Sequence, residues 1–121
     1  MIAKVLAVLW AVIIFILSVM RTPKLTGVQI PYLDKIAHIV MYAIFAFLLL
    51  LAFHHLIQTN KKVILLIVSV SLGYGILMEF AQKKIFLSRS FEISDIVANL
   101  TGILIAVVIY KLNYLAKTTK T

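Results

Sequence analysis

Asp34, Glu79, Glu92 and Asp95 are the only carboxylate side chains in this chain of 121 residues, and each stands where an apolar stretch meets a short basic one. A charge in or beside a membrane span costs roughly 3 kcal/mol on insertion scales, which makes an acid such as Glu79 a functional candidate by default. The neighbouring polar residues recur at helical spacing. Asp34, His38 and Tyr42 step by four, Glu79 and Gln82 by three, and Asp95, Asn99 and Gly102 by four and then three, so each set shares one helix face. Glu79 or Asp95 could act as a general base, with His38 oriented by Asp34. Three carboxylates and an imidazole also form the mostly oxygen ligand set that magnesium, calcium or manganese prefers. Arg89 adds a planar fork suited to a carboxylate or a lipid phosphate.

The elements that must position these residues follow from composition. Hydrophobic residues make up 64% of the chain, against roughly 45–50% in soluble domains, which places it in the membrane. Four apolar stretches, 5–20, 36–57, 63–82 and 93–110, each suit one span, and together they use the whole chain as one all-α, four-transmembrane-helix domain. The first stretch lacks a small-x-small cleavage site before Arg21, so it is expected to remain as a span rather than be removed as a signal. Pro23, Gly27 and Pro31 suit an irregular loop, and Gln58 to Lys62 a tight polar turn. With no cysteine, disulfides, thiolate metal sites and cysteine nucleophiles are excluded.

The net charge of +8 rests on twelve Lys and Arg residues, nearly all in loops and tails, where they meet anionic headgroups. Membrane lipids are therefore the expected partners, and nucleic acid is not, because the aromatics lie inside the apolar runs. The basic residues divide equally between the two membrane sides. Lys4 and the N-terminal amine ahead of the first span favour cytoplasmic termini in a multi-pass protein of the cell membrane. All four acids then fall on the outer side.

Antiparallel topology brings the start of the second span, the end of the third and the start of the fourth to one membrane surface. The expected cluster is Asp34, His38, Glu79, Gln82, Asp95 and Asn99, with Arg89 in the loop above it. These stretches resemble the VanZ-like membrane proteins, a family named for a protein associated with resistance to the glycopeptide teicoplanin. Asp34-Lys35-Ile36-Ala37-His38 with Tyr42 is similar to the D-K-x-x-H-x-x-x-Y element of that family. Gly75 to Glu79 with Gln82, then Arg89 and Asp95 with Asn99 and Gly102, are similar to its G-x-x-x-E-x-x-Q and R-x-x-x-x-x-D-x-x-x-N-x-x-G elements, in the same order. The three elements cover most of 34–102, although 83–88 lacks the Pro-Gly pair expected before the Arg. The resemblance implies a cell-envelope membrane protein with a link to glycopeptide resistance.

Simpler roles stand beside these. Asp34 and Asp95 could only favour a helix N-terminus, Gln82 and Asn99 could be interhelical hydrogen-bond glue, and Lys83 and Lys84 ordinary interfacial anchors. His54 and His55 lie at the far end of the second span, and Trp10, Phe45, Phe47 and Phe53 read as packing or lipid-facing groups. Gly73, Gly75 and Ser71 suit close helix approach, within the chain or in a dimer. Function divides between binding an anionic lipid-linked headgroup, such as a cell-wall precursor, and a small intramembrane enzyme acting on a lipid phosphate or acyl group. A third reading is a structural knot in a protein that works through a membrane partner. Proton transport fits least, because the middle of every span is bare of ionisable groups. No catalytic triad, phosphate-cradling loop or metal signature appears, so the sequence assigns no cofactor.

Overall fold

The computed structural model describes residues 1–19, 33–85 and 92–120, and these are helical almost throughout, with no strand among them. In hydrocarbon every backbone N–H and C=O must be satisfied within the segment, so long apolar stretches have no alternative to the helix. Five helices result: α1 (Ile2–Val19), α2 (Leu33–Ala52), α3 (His54–Thr59), α4 (Lys62–Ile85) and α5 (Ile93–Thr118). All except α3 are long and apolar enough to cross a membrane. The chain is an all-helical, multi-pass membrane protein.

Side-chain contacts give the course of the helices. The Lys4 ammonium lies 5.6 Å from the Phe53 ring centre, and the Trp10 indole N–H donates to the Met41 carbonyl at 2.9 Å, so α1 runs antiparallel to α2. Lys35 meets Asp95, His38 meets Asn99 and His54 meets Tyr110, so α2 and α5 run parallel. The starts of α2 and α5 and the end of α4 therefore share one membrane surface. The start of α1, the α3 turn and the end of α5 share the other.

Helix α2 is the hub, packing on α1, α4 and most extensively on α5, while α1 and α5 do not pair. Gly102 explains the close α2–α5 approach, because a Cβ there would collide with the Ile39 carbonyl. The core runs through Ile14, Tyr42, Phe45, Leu50, Ile67 and Ile103. Trp10 does more than pack: it and Tyr74, whose hydroxyl donates to the Ala11 carbonyl at 2.7 Å, tie α1 to α2 and α4 through helix carbonyls.

Two stretches depart from the sequence expectation. The second span, expected as one helix over 36–57, begins at Leu33 and is interrupted at Phe53, whose backbone (φ −109°, ψ 18°) redirects the chain into α3. Apolar patterning marks this only by the His54-His55 pair, after which Leu56 and Ile57 resume the run; the turn aims His54 at Tyr110. The fourth span, α5, does not stop at Tyr110 but continues to Thr118, carrying most of the basic tail as helix. At the next turn, the Asn60 side chain caps α4 by accepting from the Lys62 N–H at 3.0 Å.

Candidate functional site: a polar cluster at three helix ends

The cluster is assembled by the parallel α2–α5 pair. Asp34, Lys35 and His38 lie in the opening turns of α2, and Glu92, Asp95 and Asn99 at the matching end of α5. The Lys35 ammonium donates to Asp95 and, at 2.6 Å, to Glu92, while an Asp34 oxygen lies 4.0 Å away. These acids differ in setting: the Asp95 side chain is 9% exposed, whereas those of Glu92 and Asp34 are 50% and 56% exposed. Lys35 thus sits at the mouth with one carboxylate behind it and two at the surface.

One turn deeper, His38 Nδ1 and Asn99 Oδ1 are 2.9 Å apart, so the ring donates from Nδ1, and a neutral ring presents Nε2 as an acceptor. That Nε2 lies 3.9 Å from Asp34, too far for a hydrogen bond. Tyr42 lies parallel to the His38 ring below it, with centroids 6.5 Å apart. The α4 wall brings Glu79, only 3% exposed, within electrostatic reach of the Tyr42 phenol, and a buried Gln82 one turn on. Gly75 makes room for this junction: a Cβ there would stand 2.7 Å from Asn99 Nδ2 and 3.1 Å from the Tyr42 ring. Among the described residues, the Asn99 Nδ2 donor has no hydrogen-bond partner.

The sequence expectation of a common cluster therefore meets a geometry in which Asp34, His38, Asp95 and Asn99 converge directly, with Glu79 and Gln82 on the adjoining α4 wall. Arg89 lies outside the described residues. Asp34, His38 and Asp95 can each offer one atom such that all three atoms lie within 4.8 Å of one another, which suits a divalent ion in spacing. Lys35 already occupies Asp95, however, and a cation there would have to displace it.

A family model described as VanZ/LLP1 matches residues 2–115. The chain belongs to the VanZ/LLP1 family. The match takes in three of the membrane helices in full, all but the last three residues of α5, and every residue of the cluster. No curated protein and no solved structure matches the chain. In this VanZ/LLP1 protein, two participants escaped the sequence reading of the site. Lys35 was visible only as part of the D-K element, and Glu92 only as one of the four acids; their pairing depends on the α2–α5 register, which joins positions 57 residues apart. A clue was available in composition, since Lys35 directly follows Asp34 at the start of an apolar run, at the end where the acids gather.

Proposed function

We propose that this VanZ/LLP1 protein binds an anionic envelope ligand, such as the pyrophosphate headgroup of a lipid-linked cell-wall precursor, at the polar end of the bundle. In this reading the termini are cytoplasmic, the site faces outward, and binding contributes to glycopeptide resistance. The observation that carries the reading is the placement of Lys35 between a buried and an exposed carboxylate. An ammonium group has three donors. An incoming phosphate oxygen can replace the half-exposed Glu92 while Asp95 keeps the ammonium at the mouth. Lys83 and Lys84, in the last turn of α4, add positive charge at the same membrane surface. The Asn99 amide donor and the His38 ring supply polarity below.

The test is glycopeptide susceptibility of cells expressing the wild type or the paired variant Lys35→Gln with Asp95→Asn, which keeps the hydrogen bond and removes both charges. At equal membrane abundance, the wild type raises the inhibitory concentration and the paired variant does not. Equal protection by both would overturn the assignment.

A second reading rests on the spacing of Asp34, His38 and Asp95. A divalent cation held there, with Lys35 turned out toward substrate, would make the site a small intramembrane enzyme acting on a lipid phosphate or acyl group. Phosphate release from a polyprenyl pyrophosphate that depends on added magnesium or manganese and disappears in Asp34→Asn would favour it. Metal-independent binding without turnover would remove it.

A further inference from the structure

The opposite membrane surface carries a second constructed feature. A groove of about 850 Å³ opens between the α2–α3 corner and the last turns of α5, comparable to the roughly 300–1,000 Å³ of small-molecule sites. Its floor is apolar, with Phe47 and Leu51, and its rim is cationic, with Lys117 in the last turn of α5 and Lys120 just past its C-cap. Tyr110 and Tyr114 form a ridge along its side, and a second groove of about 290 Å³ behind them carries Lys61 and Lys111.

The height of the rim follows from helix length. At 26 residues α5 is about 39 Å long, about 9 Å more than a hydrocarbon core of about 30 Å. Its start is fixed by the polar cluster, so the excess emerges at the far surface. That places Tyr114 near the interface and Lys117 and Lys120 at headgroup level. No Asp or Glu side chain lies on this surface, because all four belong to the other end, whereas Lys4, Lys61, Lys62, Lys111, Lys117 and Lys120 all lie here.

A hydrogen-bond chain adds direction. Gln58 Nε2 lies 3.0 Å from His54 Nε2, and His54 Nδ1 lies 2.5 Å from the Tyr110 hydroxyl oxygen. A neutral imidazole has one N–H. With the Gln58 amide donating to Nε2, that hydrogen sits on Nδ1 and is donated to the Tyr110 oxygen. The Tyr110 hydroxyl hydrogen is then left to donate, and Tyr110 lines the groove.

We infer that this groove is a binding site for one anionic phospholipid, with an acyl chain over Phe47 and Leu51 and the phosphodiester held by Lys117, Lys120 and the Tyr110 hydroxyl. An apolar floor graded into a cationic rim fits an amphiphile better than a free anion. A basic pocket between membrane helices is a recognised way to hold an acidic headgroup. The site is independent of the polar cluster at the other end of the bundle.

Native mass spectrometry of the full chain in detergent, titrated with phosphatidylglycerol, tests this. The wild type is expected to retain a first phosphatidylglycerol adduct that phosphatidylcholine does not match. Lys117→Gln with Lys120→Gln, both exposed, weakens that adduct by roughly fivefold per lysine, or about thirtyfold together. Tyr110→Phe weakens it further. Undiminished binding in the Lys117/Lys120 variant overturns the site. Equal binding of phosphatidylcholine overturns recognition of charge, and complete competition by millimolar inorganic phosphate overturns a lipid occupant.

Discussion

Of the three ion pairs of Lys35, the two closest are of unequal value. Its pair with half-exposed Glu92 is close to a surface contact, worth about 0–1 kcal/mol, and Glu92→Gln is expected to lower stability by no more than that. Its pair with Asp95 is nearly enclosed, and Lys35→Met leaves that carboxylate without its cation. Breaking a fully buried pair costs about 3–5 kcal/mol. Lys35 itself is partly exposed, so the loss should fall between the two ranges, at about 1–3 kcal/mol. Thermal unfolding in detergent checks both, and equal shifts for the two variants would contradict the described burial. At this scale the sequence was informative about Asp34, His38, Glu79, Asp95 and Asn99, because polar residues in so apolar a chain stand out and their helical spacing assigns them a face. It was uninformative about the ammonium that links them, because one lysine among twelve basic residues carries no mark of its partner.

Glycines report on the helix scale. A Cβ at Gly73 meets nothing, one at Gly75 presses on Asn99 and Tyr42, and one at Gly102 runs into the α2 backbone at Ile39 and Ala43. Gly73→Ala should therefore be neutral or stabilising by up to about 1 kcal/mol through helix propensity. Gly102→Ala forces α2 and α5 apart and should cost about 1–3 kcal/mol or more, since backbone cannot yield as a side chain can. Gly75→Ala falls between these in stability but disturbs the Asn99 amide, so ligand binding should suffer more than folding. Membrane abundance and unfolding temperature across the three variants check this order, and a tolerated Gly102→Ala would refute the close α2–α5 approach. The number of spans and the ends that meet were legible, because a hydrocarbon solvent leaves apolar runs one secondary structure. The turn at Phe53 and the length of α5 were not, because one is marked only by two histidines before the apolar run resumes and the other replaces hydrophobicity with a helical Tyr and Lys pattern.

The whole molecule separates its charges along the membrane normal, with every acid at one surface and six lysines at the other. Lys and Arg counts balance across the membrane, so they do not set orientation by themselves. Cysteines introduced singly into this cysteine-free chain can settle it: Ala3→Cys and Lys120→Cys should be shielded from an impermeant thiol reagent in intact cells, and Ser90→Cys labelled. Labelling at both termini with Ser90→Cys protected would reverse the orientation and place the polar cluster in the cytoplasm. The central claim, that the cluster holds an anionic lipid-linked headgroup rather than only joining helix ends, is tested most directly by titrating a polyprenyl pyrophosphate and following bound mass by native mass spectrometry. The protein should carry Lys117→Gln and Lys120→Gln so that the opposite groove is silent. In that background the otherwise native site should bind one equivalent, and adding Lys35→Gln with Asp95→Asn should weaken binding at least tenfold while the unfolding temperature holds. Undiminished binding in the paired variant, or no binding by the folded protein with its site intact, would contradict the account and leave the cluster as a structural junction.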